Sequence, residues 1–142
     1  MNTSNGNEDK ATAIETLVEA SDNSSFVKLM DLKTAKVERG YCLARLTISK
    51  EKHLNFNGMT HGAVLFAVAD HACGLCGNSL GRKAVLINSN INLVANPKPG
   101  EVVEAEAIMI HTDEKKGILN IDVRDREGKI FARCQSIVYF LT

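Results

Sequence analysis

The feature that most constrains the fold is the segment from Gly62 to Gly77, which is apolar on nearly every side until Asp70. The segment is too long for an ordinary strand, and an apolar pattern all round is typical of a buried helix. One face of a flat sheet cannot cover such a helix, so the sheet must wrap around it or a second subunit must contribute. We therefore expect an α+β fold with a central apolar helix.

The sheet around this helix is predicted from alternating patterns of apolar and polar residues. The chain turns extended from Leu32, and a turn at residues 38–40 precedes a strand at 41–48. After the helix, further strands are predicted at 84–94, around 103–109, around 119–123 and at 129–141. Turn-favouring residues at 115–117 and 125–128 join the last three strands. The pattern indicates a curved antiparallel sheet of five to six strands.

Length and composition favour one folded domain. The 142 residues, of which 44% are hydrophobic, suffice for a single core without help from metals or disulfides. Residues 1–25 are predicted to be an N-terminal tail, polar over 1–10, with a short helix at 11–20. A second short helix is predicted at 26–30, and residues 26–142 are expected to form the single domain.

Charge and segment composition exclude several classes of protein. Lys and Arg total 17, as do Asp and Glu, and this balance argues against nucleic-acid binding while permitting self-association. We expect no membrane span and no secretory signal, because the longest apolar stretch, 63–69, is short and the first residues are polar. A cytoplasmic protein with four reduced cysteines is the resulting expectation.

Cys73 and Cys76 have the spacing of a redox or metal motif, but their surroundings favour simple packing. Reactive pairs of this type lie at helix N-termini, whereas these cysteines lie well inside the predicted helix. The four histidines do not supply two further ligands at zinc-site spacing. The sequence also lacks a Gly-x-Ser-x-Gly elbow, a Gly-x-Gly-x-x-Gly fingerprint and a P-loop. We therefore expect neither a cofactor nor a metal.

Asp70 and Gly62 are the residues best suited to chemistry. A carboxylate within an apolar run is costly to bury unless it is paired, and an apolar environment raises its pKa toward that of a general base. The amide of Gly62, at the start of the helix, can stabilise an oxyanion. Each residue also has a structural alternative, a plain salt bridge for Asp70 and a tight entry turn for Gly62.

The spacing of these two residues predicts a dimer if both are catalytic. Gly62 and Asp70 are eight residues apart, which corresponds to ~12 Å along a helix axis. An oxyanion donor and an attacking group must meet around one carbonyl carbon, within ~3–3.5 Å of it. One straight helix cannot bring them together, but two copies related by a two-fold axis can.

Several motifs resemble those of the hotdog-fold thioesterases. They are Asn55, His61-Gly62, Val68-Ala69-Asp70, the run Asn88-Ser89-Asn90-Ile91-Asn92-Leu93-Val94, and Asn96-Pro97. The chain is similar to the phenylacetate-degradation (PaaI-like) branch of acyl-CoA thioesterases from about Phe26 to its C-terminus. The resemblance implies a hotdog domain that forms dimers, and often tetramers, and that cleaves acyl-CoA to a free acid and CoA without a cofactor.

The resemblance also implies roles for individual residues. Asp70 matches the acidic residue that acts as general base or nucleophile, and Gly62 matches the backbone oxyanion donor. Asn55 matches a side chain that positions the carbonyl or the water, and His61 matches a residue that supports the turn. The chain departs from the family pattern at Ala63, where a second glycine is frequent, and at Leu86, where Ser or Thr is frequent. Asn88 or Ser89 are candidates to replace that hydroxyl.

Two other functions remain open at this point. One is a non-catalytic acyl-CoA-binding hotdog protein, and the other is a hotdog enoyl-CoA hydratase or dehydratase that uses His71 beside Asp70. Cations that can meet the phosphates of CoA are Arg82, Lys83 and Lys98. The sequence does not identify the acyl group, since the depth of its pocket depends on how residues such as Met59, Leu65 and Phe66 pack between subunits.

Overall fold

The computed structural model describes residues 3–141, without the side chains of residues 3–5, 9, 11 and 12. In chain order its elements are α1 (Thr3–Asp22), α2 (Ser25–Met30), β1 (Lys33–Glu38), β2 (Tyr41–Thr47), α3 (Gly62–Asn78), β3 (Lys83–Leu93), β4 (Val102–Thr112), β5 (Lys116–Arg124) and β6 (Ile130–Leu141). None of the helices in this part of the chain is both long and apolar enough to cross a bilayer.

The strands form one six-stranded sheet in the order β1-β2-β4-β5-β6-β3, and neighbouring strands run antiparallel. The predicted antiparallel sheet is confirmed, with six strands. The turn predicted at residues 38–40 is also present, and Gly40 adopts the positive φ of 74° that it requires. In β2, Cys42, Ala44 and Leu46 point into the core while the residues between them do not, as their alternation predicts.

α3 packs along the inner face of the sheet, where its apolar side chains form the core. It is the central apolar helix predicted from residues 62–77, and ten of its residues are buried. Small residues such as Ala69, Ala72 and Cys76 let the strands approach the helix closely, while Leu46, Phe131 and Phe140 fill the space around it. The sheet therefore covers most of the helix, and one side remains for the site.

The N-terminal helix is longer than predicted. α1 begins at Thr3, whereas the sequence predicted a tail over 1–10 and a helix only from residue 11. The half-buried Ile14, Leu17 and Val18 supply the tertiary contacts, and extending an established helix costs little even through polar residues. α2 ends at Met30 as predicted, because Asp31 takes the left-handed conformation (φ 58°) that terminates it.

One predicted turn was wrong in its position. Residues 115–117 were expected to turn, but β5 begins at Lys116. The turn lies before Lys116, because Oδ1 of Asp113 accepts hydrogen bonds from the amides of Lys115 and Lys116, both at 2.8 Å. Gly117 instead lies within the strand, where a Cβ atom would come 2.9 Å from Sδ of Met109.

β3 forms one edge of the sheet and pairs, within residues 3–141, with β6 alone. The pairing passes directly from Leu86 to Asn88, so Ile87 forms a bulge. Apolar side chains are unusually exposed along this edge and just beyond it: Val85, Leu86, Ile87, Leu93 and Val94. An edge strand of this length and composition is a template for pairing with another chain.

Candidate active site

The loop that precedes α3 is held in place by side-chain hydrogen bonds. Oδ1 of Asn55 accepts hydrogen bonds from the amides of Asn57 (2.9 Å) and Met59 (3.1 Å). The buried Thr60 donates to the carbonyl of Pro97 at 2.5 Å, and the carboxamide of Asn96 bonds both the amide and the carbonyl of Thr60. The Asn55 oxygen is thus used by the loop, which leaves its Nδ2 group as the part available to a substrate or a water.

A buried histidine connects this loop to α2. Nδ1 of His53 accepts from the amide of Ser49 at 2.8 Å, so Nε2 carries the proton and donates to the carbonyl of Met30 at 3.1 Å. The carbonyl of His53 in turn accepts from the amide of His61 at 2.8 Å. Sequence reasoning did not single out His53, and its role here is to fix the approach to the helix.

His61 is the N-cap residue of α3. Its Nδ1 accepts a hydrogen bond from the amide of Ala63 at 3.0 Å, and its carbonyl accepts from the amide of Val64 at 2.9 Å. These contacts agree with a residue that supports the turn. They also show that Ala63, in place of a second glycine, is accommodated on the exposed side of the helix.

Gly62 is the first residue of α3, and its amide is free. The amide of His61 donates to the carbonyl of His53 and the amide of Ala63 donates to the His61 ring, whereas the described residues offer no acceptor to the amide of Gly62. The positive end of the helix dipole lies at this amide, so it suits an oxygen that gains negative charge. A Cβ atom on Gly62 would come 2.8 Å from Cδ1 of Leu93 on β3, which places the amide beside the exposed sheet edge.

Asp70 lies half-buried on the same helix, away from the sheet. Burial raises the pKa of its carboxyl above the ordinary value, and no neighbouring charge or hydrogen bond offsets this effect. The salt bridge that the sequence left open has no partner among residues 3–141. Asp70 borders a cleft of about 410 Å³ between α3 and the two N-terminal helices.

Gly62 and Asp70 are not brought together within one protomer. Both belong to a single uninterrupted helix and are eight residues apart, about 12 Å along its axis. Gly62 does not border the cleft that contains Asp70. One protomer therefore cannot direct both groups at one carbonyl carbon.

His71, next to Asp70, is engaged with another element. Its Nε2 lies 3.0 Å from Oγ1 of Thr34 on β1, and that hydroxyl donates to Oδ1 of Asp22 at the end of α1, 3.2 Å away. Burial lowers the pKa of His71, and the charge of Asp22 partly opposes this effect. These contacts tie three elements together beside the cleft, and they favour a structural role over proton transfer to a substrate.

A group of hydroxyls and thiols that sequence reasoning largely missed lies between α3 and the sheet. Oγ of Ser89 is 3.0 Å from Oγ of Ser136 and 3.1 Å from Sγ of Cys134. Burial and the charge of Asp70 raise the pKa of the Cys73 thiol, and Ser136 lowers it. The bulge at Ile87 explains this placement, because Leu86 pairs with Val138 and Ser89 pairs with Ser136, so the residues on both sides of the bulge lie opposite buried residues of β6. Alternation in β6 was the signal available for Ser136.

Cys73 and Cys76 are buried in α3, as expected of packing residues. Burial raises the pKa of each thiol to about 12, so neither is a reactive thiolate at neutral pH. No cluster of metal-binding side chains occurs among the described residues. Leu65 is also part of the core, at 1% exposure, whereas Met59 is 51% exposed.

The three candidate cations differ in their surroundings. The guanidinium of Arg82 donates to the backbone carbonyls of Asp113 and Glu114 and stacks 3.9 Å from the ring centre of Phe140. Lys83 and Lys98 are exposed. The two lysines are therefore freer than Arg82 to approach an anionic ligand.

Comparison with known proteins places this architecture in a family. The model of the thioesterase superfamily matches residues 57–132, more than half of the chain. A protein of Archaeoglobus fulgidus named "Putative esterase" is 29% identical over 117 residues, which cover 82% of this chain and 75% of that protein.

Two solved structures have the same fold. The PaaI protein of the E. coli phenylacetic acid degradation operon superposes with a TM-score of 0.87 at 21% identity, over 94% of this chain and 96% of that one. A hypothetical thioesterase protein of Streptococcus pneumoniae TIGR4, solved with coenzyme A, gives 0.73 at 23% identity, over 77% and 87% of the two chains. With the family match across most of the central helix and sheet, the chain belongs to the thioesterase superfamily and is a thioester hydrolase with the hotdog fold.

Proposed function

We propose that this thioester hydrolase cleaves acyl-CoA, with Asp70 of one protomer and the Gly62 amide of a second protomer acting on the same carbonyl. The observation that carries the proposal is the distribution of two complementary groups on one helix. A free amide lies at the N-terminus of α3, and an unpaired carboxyl of raised pKa lies two turns further on. A similar fold solved with coenzyme A supports acyl-CoA as the substrate.

The chemistry needs only these groups and a water. The thioester oxygen accepts a hydrogen bond from the Gly62 amide, which stabilises the oxyanion as the carbonyl carbon becomes tetrahedral. Asp70 removes a proton from the attacking water, or attacks the carbon itself as a nucleophile. The C–S bond then breaks, the thiolate of CoA takes up a proton, and a free acid remains. In the nucleophilic route, water must then hydrolyse the acyl-Asp70 anhydride.

Asn55 and His61 have supporting roles in this proposal. The Nδ2 group of Asn55 can donate to the thioester oxygen or to the water, because its Oδ1 atom is already occupied by the loop. His61 caps α3 through Ala63 and so fixes the direction of the Gly62 amide. His61 is therefore a positioning residue rather than a catalytic one.

The dimer that this site needs has a suitable surface in the edge of β3. Its apolar side chains and its unpaired backbone groups are complementary to a second copy of the same edge, which is the requirement of a two-fold interface. The edge lies beside Gly62, so pairing there brings a second α3 near the first.

The half-exposed Ile108 and Ile110 on β4 offer a surface through which dimers would pair into tetramers. Residues 26–142 form the hotdog domain in this arrangement, with 1–25 as an accessory segment.

The basic test follows thiol release from a panel of short, medium, long and aromatic acyl-CoA thioesters. We expect turnover by the natural protein and a loss of about 10²–10⁴-fold in Asp70→Asn, with the fold retained by circular dichroism. Binding across the whole panel without turnover would favour the non-catalytic acyl-CoA-binding alternative. Hydration of enoyl-CoA without thiol release would favour the hydratase.

The oxyanion donor can be removed without changing the helix. Proline is tolerated at the first helical position, and the ψ of 133° at His61 suits the residue before a proline. Gly62→Pro therefore deletes the N–H group and should lower kcat by about 10²–10³-fold. Gly62→Ala is the matched control, because it keeps the N–H group and meets Leu93 in the same way. Equal losses in both variants would contradict the oxyanion role.

Sharing of the site between protomers has its own test. Asp70→Asn and Gly62→Pro chains, each inactive alone, are unfolded together and refolded as a mixture. Half of the dimers are then mixed, and each mixed dimer has one intact site, so about a quarter of the natural activity should return. No recovery in a mixture shown by mass spectrometry to contain mixed dimers would exclude the shared site. A single turnover in ¹⁸O-labelled water then tests the nucleophilic route, since label in the Asp70 carboxylate requires an acyl-Asp70 anhydride that water opens at the Asp70 carbonyl.

A further inference from the structure

We propose that the groove between α1 and α3 receives the acyl chain of the substrate, and that it fits a straight, saturated chain of medium length. The inference rests on the proposed function, because Asp70 at one end of this groove must face the thioester carbon. The groove runs from Asp70 toward the turn that follows α3, and Gly74 on α3 keeps it open.

Two clefts together make up this groove. The first, of about 410 Å³, contains Asp70, and the second, of about 540 Å³, lies against the turn at residues 78–83. Leu17, Ala20 and Asn78 border both clefts, so the two are neighbouring parts of one depression. A chain that starts at the carboxylate of Asp70 can therefore follow the helix through the first cleft to Asn78, where the second cleft begins.

The walls of the groove suit a hydrocarbon chain. α1 contributes Leu17, which is only half-buried in the fold, and α3 contributes Leu75. Phe26 borders the cleft of Asp70 and leaves 53% of its surface exposed. Each methylene group that such walls remove from water contributes about a fourfold gain in affinity.

The length of the groove selects the length of the chain. Asp70 and Asn78 are eight residues apart in α3, a distance of about 12 Å, which an extended chain of roughly eight to ten carbons spans. Beyond this point the groove is bordered by the charged side chains of Arg39, Arg82 and Lys83. A longer hydrocarbon chain would place its end against these cations, of which Arg39 and Lys83 are exposed, and this sets an upper limit.

Gly74 is the residue that makes room for the chain. It lies in the middle of α3, where glycine is disfavoured relative to alanine. Neither a helix end nor a positive φ requires a glycine at this position. A Cβ atom built on Gly74 would meet nothing within 4 Å, so the space above it is open and borders the same cleft as Asp70. A larger side chain here should fill the groove without disturbing the core.

The test compares acyl-CoA thioesters from two to fourteen carbons with the full-length protein and three variants. Gly74→Leu blocks the groove from α3, and Ala20→Leu blocks it from the opposite wall on α1. Gly6→Leu is the matched control, since Gly6 is an exposed α1 glycine that borders neither cleft and has equally open surroundings. We expect the natural protein to prefer chains of about eight to ten carbons.

In Gly74→Leu and Ala20→Leu, kcat/KM for the medium chains should fall at least about tenfold, while the value for acetyl-CoA stays within about twofold. Gly6→Leu should keep the natural profile. Equal loss at every chain length, or no change in the profile, would overturn the groove while leaving the thioesterase activity intact. A natural protein that hydrolyses none of the thioesters would instead contradict the proposed function itself. Melting temperatures of the variants identify any loss that comes from misfolding.

Discussion

The ring of His61 and the amide of Ala63 are joined by a hydrogen bond of 3.0 Å that passes over the residue between them. This bond caps α3 and leaves the amide of Gly62 as the exposed donor at the helix terminus. The capping histidine thus determines where the donor points, although it need not touch the substrate.

Replacing the cap should separate positioning from chemistry. His61→Ala should lower the free energy of unfolding by about 0.5–2 kcal/mol, as for other lost N-caps, and should lower kcat. His61→Asn offers another side-chain acceptor and should restore most of both quantities. Denaturant unfolding and thiol release measure the two effects. Activity that stays low in a fully stable His61→Asn protein would assign a direct chemical role to the imidazole.

The ionised carboxylate of Asp70 should lower the free energy of unfolding, although the reaction depends on it. Because burial raises its pKa, the folded state binds the proton more tightly than the unfolded state, so stability falls as pH rises through the folded pKa. At pH 7, Asp70→Asn should therefore raise the free energy of unfolding, by up to about 1 kcal/mol since solvent screens a half-buried charge. A destabilised variant would argue against this account.

The raised pKa of Asp70 also predicts the pH profile of the reaction. The base or nucleophile must be ionised, so log kcat/KM should rise with pH along an acidic limb whose midpoint lies above the ordinary range of aspartate. Measurements between about pH 4 and 8 on a medium-chain thioester cover this limb. A flat profile across the interval would show that the ionisation of Asp70 does not limit the rate.

His71 should make the packing of the N-terminal helix sensitive to acid. Its pKa is lowered by burial, so the folded state favours the neutral ring, and stability is lost as pH falls through the ordinary pKa of about 6.5 toward the folded value. In His71→Gln the loss between pH 7 and 5 should shrink, because the amide still reaches Thr34 but cannot take up a proton. Thermal melts at the two pH values provide the measurement. Equal losses in both proteins would place the acid sensitivity elsewhere.

A charge on the sheet edge should separate the protomers and remove activity. Ile87→Lys puts an ammonium group in the bulge of β3, where the proposed two-fold pairing would bury it. We expect monomers in analytical ultracentrifugation and a large loss of turnover. Ile110→Lys, at an equally exposed isoleucine on β4, is the control and should keep the dimer and its activity, at most splitting tetramers. An active Ile87→Lys monomer would contradict the shared site.

The parts of the fold that could be predicted are those that depend on repeated local patterns. α3 is evident from its continuous apolar residues, and β2 from its alternation, because a buried face imposes its period on the residues of an element. Asp70 and Gly62 stood out for a related reason, since each departs from its surroundings. The N-terminal start of α1 could not be predicted, because its first residues are polar. They extend a helix whose stability comes from Ile14 and Leu17, further along the chain.

Other features depend on single contacts that leave no periodic signal. The turn before β5 is set by one carboxylate, Asp113, rather than by Gly117, which lies within the strand. In a regular strand Leu86 and Ser89 would lie on opposite faces. The bulge at Ile87 puts both on the same face of β3, and Ser89 therefore contacts Ser136. A cleft between α1 and α3 requires the docking of distant segments and cannot be read from either segment alone.

Because Gly62 and Asp70 lie on one helix, their spacing limits which insertions and deletions the sequence can tolerate in evolution. Eight residues turn a helix by about 800°, so the two positions lie roughly 80° apart around the helix axis. Adding or removing a single residue between them would swing one group by about 100° relative to the other. In a two-fold pair that error would appear in both reaction centres at once, so the interval between these positions must stay fixed while the surrounding side chains are free to vary.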